Sequence, residues 1–393
     1  MKLPFDARPG VALDPGYLTL LRETPLIPVD LPGDRKALLV TSHDDVRTVL
    51  ADDRFSREAW HNGTLFARRS EALALVTSDA PTHTRRRRAV QSWFTHRQAA
   101  AARPGIERLA EDLIDGMEKD GSTADLVARF SVPLAYGVIC DMLAVPVSDV
   151  ELFLPWVNAM MSAGRCTKEE VDAAHTHMYA YFETQLAERR EAMAAGTPGE
   201  DLLTALLQSG ELSDVEISTF GLGLMVAGGE TTTNFLSCCV LEILARPDLV
   251  AALREDPSGI PGAVDECLRW VWFNGTGGQP HVVVEEADLA GTRMCPGQVV
   301  IPLTDAANRD PSVFEDADEF RTDRAANPHM GFGYGRHMCL GAAHARVEAE
   351  VAVAALLRRL PHLSVAVEPD QLEWRDRMFI RGVWSLPVAW CPR

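Results

Sequence analysis

Near the C-terminus the chain reads Gly331-Phe-Gly-Tyr-Gly-Arg-His-Met-Cys339-Leu-Gly-Ala-Ala-His-Ala-Arg346. Gly333 and Gly335 let a loop turn tightly and gather backbone N–H groups. From Leu340 to about Leu360 the pattern is strongly helical, so Cys339 is expected on a loop at a helix N-terminus. Converging donors and the positive helix end both favour a thiolate there. A lone thiolate with no second Cys or His at zinc spacing suits a single axial ligand to haem iron. Two other readings stay open on these residues alone. One is a buried structural cysteine in a glycine turn. The other is a nucleophile, for which His337, two residues away, is a poor base.

A second stretch, Ala227-Gly-Gly-Glu-Thr-Thr-Thr233, interrupts a long apolar run. The run opens on Ser213-Asp-Val-Glu216, a capping box, and stops before Arg246-Pro247, because the residue before proline disfavours helix. Residues 213–245 predict one helix of about 50 Å. It is apolar on nearly all faces and is expected to cross the centre of the protein. Two adjacent glycines cost about 2 kcal/mol of helix propensity. A carboxylate beside three hydroxyls in a buried helix costs more unless it is paired or used. Either the helix kinks with its Thr hydroxyls bonded back to the backbone, or an opened turn lines a polar groove for a small molecule or water.

The elements around these stretches are mostly helical in period, over about 82–118, 125–143, 149–162 and 168–194. Short β-rich runs sit at Ala37–Thr41, His281–Val284, Val299–Pro302, Leu363–Val367 and Met378–Trp390. No repeat and no long linker divides the chain. The expected fold class is mainly α with minor β, as a single domain over 1–393 whose small β subdomain is assembled from distant segments.

The chain has 393 residues, 38 Lys+Arg against 56 Asp+Glu, a net charge of −18 and a pI near 5.0. That balance argues against nucleic acid as the main partner. No signal peptide and no membrane span are read, which predicts a cytoplasmic protein. The eight cysteines form no Cys-x-x-Cys, which disfavours zinc ribbons and dithiol redox chemistry. Apart from Cys339, each is expected to be a buried small apolar residue.

Taken together the motifs resemble those of the cytochrome P450 family. Its cysteine loop is matched by Phe332, Gly333, Gly335, His337, Cys339, Gly341, Ala345 and Arg346, with His344 where leucine is usual. Its oxygen-activation motif is matched by Ala227, Gly228, Glu230 and Thr231. Its Glu-x-x-Arg pair is Glu266 and Arg269, with Arg324 downstream, and its His-x-x-x-Arg pair is His83 and Arg87. Ala307-Asn-Arg-Asp-Pro311 also fits bacterial members. The motifs occur in the family's order, and the resemblance covers essentially the whole chain.

The resemblance implies the P450 fold, with haem b held between the long central helix and the cysteine loop. Cys339 would bind the iron, with Phe332, Gly341 and Ala227 against the cofactor. His83, Arg87 and His337 would serve the haem propionates. So would His281, which stands where the family usually has arginine and could make haem retention pH-dependent. Glu230 and Thr231 would relay protons, with Thr232 and Thr233 as backbone-bonded spectators. Glu266, Arg269 and Arg324 would form a buried structural network. Arg85 to Arg88, with Arg336, could face an acidic ferredoxin.

The resemblance also places substrate contacts at Trp60, Phe66, Met160, Phe273, Asn274 and Phe379, which suit a bulky apolar or aromatic small molecule. It implies a monooxygenase using O2 and electrons from NAD(P)H through a separate ferredoxin reductase and ferredoxin. The expected role is tailoring of a bacterial secondary metabolite, with a peptide-derived or aromatic scaffold favoured. Oxidative C–C or C–N coupling on the same scaffold and a non-catalytic haem sensor or carrier are the alternatives.

Overall fold

The computed structural model describes residues 9–13, 15–31, 35–62 and 75–391. Phe66 lies outside the described residues, as does most of the segment around it.

Helices dominate, and their ends follow local chemistry. Lys168–Ala194 starts at Thr167, whose hydroxyl accepts from the Glu170 N–H while the Glu170 side chain accepts from the Thr167 N–H. The expected helix over 82–118 is two helices, Thr82–Val90 and His96–Asp120. They are separated by a tight turn at Gln91–Phe94, and the Thr95 hydroxyl caps the second helix by accepting from the Gln98 N–H.

The central run begins at the Ser213/Glu216 capping box as expected. It is not one uniform helix. Asp214–Leu224 passes into a wider π-type stretch at Met225–Glu230 and continues as Thr231–Leu244. Gly228 and Gly229 explain the break. A Cβ on Gly228 would lie 2.5 Å from Ile139 Cδ1, and one on Gly229 would lie 2.5 Å from Tyr136 Cζ. The helix Val132–Leu143 therefore packs directly on bare backbone.

The larger sheet has five strands, in the order Leu26–Leu31, Arg35–Val40, Val299–Pro302, His281–Val283 and Phe55–Ser56. Arg35–Val40 runs parallel to Val299–Pro302 with Leu38 opposite Val300, and the other pairings are antiparallel. The sheet thus brings His281 beside Val300, and Phe55–Ser56 beside Val282 and Val283. The Leu26–Leu31 strand was not expected from the sequence pattern. Of the run Met378–Trp390 only Pro387–Ala389 is a strand, paired with Thr123–Asp125 and Ser364–Val365.

Two apolar clusters flank the central helix. One joins its C-terminal half (Phe235, Leu236, Val240, Ile243) to His96–Asp120 and to Ala342–Arg359. The other joins Leu224 and Met225 to Tyr136, Ile139, Phe153, Met178 and Phe182. Cys140, Cys238, Cys239 and Cys267 are core residues, as expected. Cys166 is only half-buried, and Cys295 and Cys391 are exposed, so those three do not fill the core. Among the described residues, no helix is long and apolar enough to cross a membrane.

Candidate functional site

The glycine loop is built as its sequence requires. Gly333 (φ +70°) and Gly335 (φ +69°) occupy the left-handed region that disfavours a side chain. Gly335 also lies so close to the helix His43–Ala51 that its Cβ would meet Ala51 Cα at 3.1 Å. The turn returns the chain so that Cys339 N–H donates to Phe332 O at 2.8 Å. Gly341 then caps the helix Ala342–Arg359. Burial pushes the Cys339 thiol up, opposed by the Gly341 N–H and by the Arg87 and Arg346 charges. Its surface is nevertheless exposed. Ala227 is likewise exposed in mid-helix, although Met225, Gly229 and Glu230 around it are buried. The Phe332 ring lies 4.8 Å from the Arg346 guanidinium and packs on the main core. His344 is buried edge-on to Phe94, 5.8 Å between rings.

In the opened turn, the Thr231 hydroxyl donates to Ala227 O. This is the back-bond expected of Thr232 and Thr233. The Thr233 hydroxyl instead is buried without a partner, because it faces the packed side of the helix. Glu230 is 3% exposed and forms an ion pair with Arg375, itself 7% exposed. Arg375 also donates to Asn234 Oδ1 at 3.1 Å and Asn158 Oδ1 at 2.8 Å, and lies 4.3 Å over the Trp384 ring. Sequence reasoning missed Arg375. The available signal was a buried carboxylate in need of a cation and an arginine-rich stretch, Arg375-Asp-Arg377, near the C-terminus.

A group of basic side chains gathers beside the cysteine loop. The His83 and His337 rings are 4.2 Å apart, and the Nε2 atom of each is buried without a hydrogen bond. Burial, with His337 and Arg87 nearby, holds His83 down to about 4. Arg87 Nη1 donates to Met338 O at 2.9 Å.

His281 does not present a free nitrogen. Its Nδ1 lies 2.9 Å from Gln279 O, and its Nε2 accepts from Arg57 Nε at 3.1 Å. Accepting at Nε2 and donating at Nδ1 makes the ring neutral. Burial and the Arg57 charge hold it well below the ordinary histidine value, so its titration does not reach neutral pH. Arg57 is the cation that sequence reasoning overlooked. The exposed thiol, the unbonded imidazole nitrogens and the cations beside them fit a flat iron macrocycle bearing carboxylates.

Glu266, Arg269 and Arg324 come together. Arg269 Nε donates to Glu266 Oε2 at 2.8 Å, and its Nη groups donate to Asn308 O, Ala317 O and Glu319 O at 2.8–2.9 Å. Arg324 Nε lies 3.1 Å from Glu266 Oε2, and Arg321 N–H donates to Glu266 Oε1 at 2.7 Å.

The basic run is partly paired within the chain, and Arg88 is exposed. Arg85 and Arg86 both pair with Glu216, and Arg336 pairs with Asp53. Glu216 and Asp53 thus engage Arg85, Arg86 and Arg336 but not Arg88.

The segments that carry Met160, Phe273 and Phe379 converge through backbone bonds. Phe379 N–H donates to Met161 O at 2.9 Å, and Gly275 N–H to Phe379 O at 3.0 Å. Met160, Phe273 and Phe379 are half-buried. Asn274 is turned away, its Nδ2 donating to Asp305 Oδ2 at 2.8 Å and Thr304 Oγ1 at 3.2 Å. The Trp60 ring is covered by Arg35, 4.4 Å from its centre.

The family model described as Cytochrome P450 matches residues 134–263 and 260–379. The chain belongs to the cytochrome P450 family. Mycinamicin IV hydroxylase/epoxidase of Micromonospora griseorubida is 39% identical over 393 residues, with 98% of each chain covered. Nocardicin C N-oxygenase of Nocardia uniformis subsp. tsuyamanensis is 37% identical, again with 98% of each covered. A crystal structure of cytochrome P450mel 107F1, described as having biaryl coupling reactivity, superposes with a TM-score of 0.91 at 35% identity, covering 99% of this chain and 100% of that one. This P450 is accordingly a monooxygenase. Its family implies a haem cofactor and separate redox partners.

Proposed function

We propose that this protein is a haem b monooxygenase that oxidises a bulky apolar or aromatic secondary metabolite, with a peptide-derived or aromatic scaffold favoured. The whole chain, 1–393, works as one domain. Electrons come from NAD(P)H through a ferredoxin reductase and a ferredoxin, which sets the reaction in the cytoplasm. The observation that carries the reading is the exposed Cys339 on its glycine loop, with Arg87 on the adjoining Met338 carbonyl and the unbonded His83 and His337 nitrogens beside it.

Cys339 would hold the iron through its thiolate, flanked by Phe332 and Gly341. His83, Arg87 and His337 would hold the propionates, and Ala227 would lie over the macrocycle. When bound, the haem supplies dioxygen activation, one oxygen atom entering substrate and the other leaving as water. The chain's own work is proton control. The Thr231 hydroxyl, released from Ala227 O, donates at Oγ. Glu230 renews that proton by way of water, through a carboxylate that Arg375 orients. Met160, Phe273 and Phe379 supply apolar surface that excludes water and orients the substrate.

The test is turnover of candidate peptide-derived and aromatic metabolites with a ferredoxin, its reductase and NADPH, read by product mass. A gain of one oxygen supports the proposal. Oxidative coupling is the second reading, favoured by the biaryl-coupling neighbour, and it shows as a loss of two hydrogens. NADPH use that no such substrate stimulates, with oxidation only of unsubstituted fatty acids, overturns the substrate assignment.

A further inference from the structure

Arg57 is a buried guanidinium without a carboxylate. It opens the short helix Arg57–Asn62 directly after the edge strand Phe55–Ser56 and is 7% exposed. Its Nε donates to His281 Nε2 at 3.1 Å, and its Nη1 donates to Val76 O at 3.3 Å. Both partners are neutral. Among the described residues no carboxylate lies within 4.0 Å of the Arg57 guanidinium, the Asp79 carboxylate meeting only the Arg57 backbone N–H, and Nη2 makes no hydrogen bond. Asp79 is the nearest acid to act on it, but that carboxylate is bonded to the Ser56 hydroxyl and lies 4.0 Å from His337 Nε2. Burial lowers Arg57 to about 10, so it stays charged at neutral pH. A permanent charge held out of water on neutral acceptors is unfavourable until an anion joins it.

The surroundings say which anion. Arg57 acts electrostatically on His83, His337 and His281 alike, so it sits inside the basic group beside the cysteine loop. The His83 and His337 Nε2 atoms are also buried without hydrogen bonds. A ligand with more than one carboxylate satisfies all three. His281 occupies the strand position where the family's arginine was expected, and both its nitrogens are already committed. The charge expected at residue 281 is supplied from residue 57 instead.

We propose that Arg57 binds a haem propionate through Nη2, and that His281 is a positioning residue that holds Arg57 in place by accepting from its Nε. This inference rests on the haem reading above. The ligand class is the carboxylate pair of an iron porphyrin. A substrate-borne or free carboxylate is the other source of the same chemistry, and it predicts haem retention indifferent to Arg57.

The test follows haem transfer from the holoenzyme to excess apomyoglobin, by the change in Soret absorbance. Arg57→Gln loses haem about ten- to a hundredfold faster than wild type, the range for a charge-assisted hydrogen bond. His281→Leu, which leaves Arg57 charged but unheld, also accelerates loss, and His281→Gln restores retention by offering an acceptor again. Loading both proteins with haem dimethyl ester, which lacks the carboxylates, removes the difference between wild type and Arg57→Gln. Equal haem loss from wild type and Arg57→Gln overturns the proposal. So does an Arg57→Gln effect that persists with the dimethyl ester, since the arginine is then structural only. Should Arg57→Gln not fold, the His281→Leu and His281→Gln pair decides: no acceleration in the former, or no rescue in the latter, sinks it. A reduced carbon monoxide spectrum of wild type separates the two levels. Without a red-shifted Soret band the haem-thiolate reading fails; with one, only the role of Arg57 is in question.

Discussion

Replacing Glu216 by Gln removes one charge from a clamp that holds the haem-side helix in place. Glu216 pairs with Arg85 and Arg86 of Thr82–Val90, the helix that carries His83 and Arg87. It also closes the capping box that starts the central run. Burial raises its carboxyl, but Arg85, the Ser213 N–H and Arg86 overcome that and bring it to about 2 from the ordinary 4.5. Such a fall corresponds to about 3 kcal/mol. Arg85 is nearly half exposed, which screens its share, and glutamine keeps an acceptor for Ser213, so about 1–2 kcal/mol is expected from the charge itself.

A carboxylate whose folded value is depressed stabilises fully above its unfolded value and loses that contribution as pH falls toward the folded one. Wild type should therefore exceed Glu216→Gln by about 1–2 kcal/mol at pH 7. The gap should shrink below pH 4.5 and close as pH approaches 2. Urea unfolding of both holoenzymes, followed by far-ultraviolet circular dichroism from pH 7 downward, measures it. A gap that is absent at pH 7, or that widens on acidification, refutes the clamp.

Three other substitutions probe different parts of the account. Thr231→Ala should leave folding intact and uncouple NADPH consumption from product, with peroxide released, and unchanged coupling would remove that hydroxyl from proton delivery. Gly229→Ala should lower the melting temperature by an amount equivalent to about 1–3 kcal/mol, because its methyl meets the Tyr136 ring; an unshifted melting curve would mean the helices can part freely. Arg269→Met should cost about 3–5 kcal/mol and give little haem-loaded protein, since it leaves the buried Glu266 short of a partner, Asn308 O unbonded, and Ala317 O and Glu319 O with one donor fewer. A well-folded variant with only a kinetic defect would make Arg269 something other than structural.

What was legible in the sequence was local or strongly periodic. Cys339 behind two glycines, the helix 168–194 behind Thr167, and the Ser213/Glu216 cap all rest on interactions within a few residues. The π-type stretch was foreshadowed by Gly228-Gly229, but its form depends on Tyr136 and Ile139 from another helix. The arginines were the hardest to place. Arg57, Arg375, Arg85 and Arg86 each take their meaning from a partner 19 to 224 residues away: Val76, His281, Glu230 or Glu216. Charge type alone therefore could not tell a surface cation from a buried one. His281 shows the same limit. Its place on the strand was readable, but its neutral state follows from Arg57 and Gln279.

The central claim is that Cys339 is the thiolate ligand of a haem. The reduced, carbon monoxide-bound absorption spectrum of the purified protein, recorded beside Cys339→Ser, tests it most directly. A strongly red-shifted Soret band that is lost in the variant is the predicted result. A Soret band where histidine-ligated haem absorbs, or a red-shifted band that survives in Cys339→Ser, would contradict it.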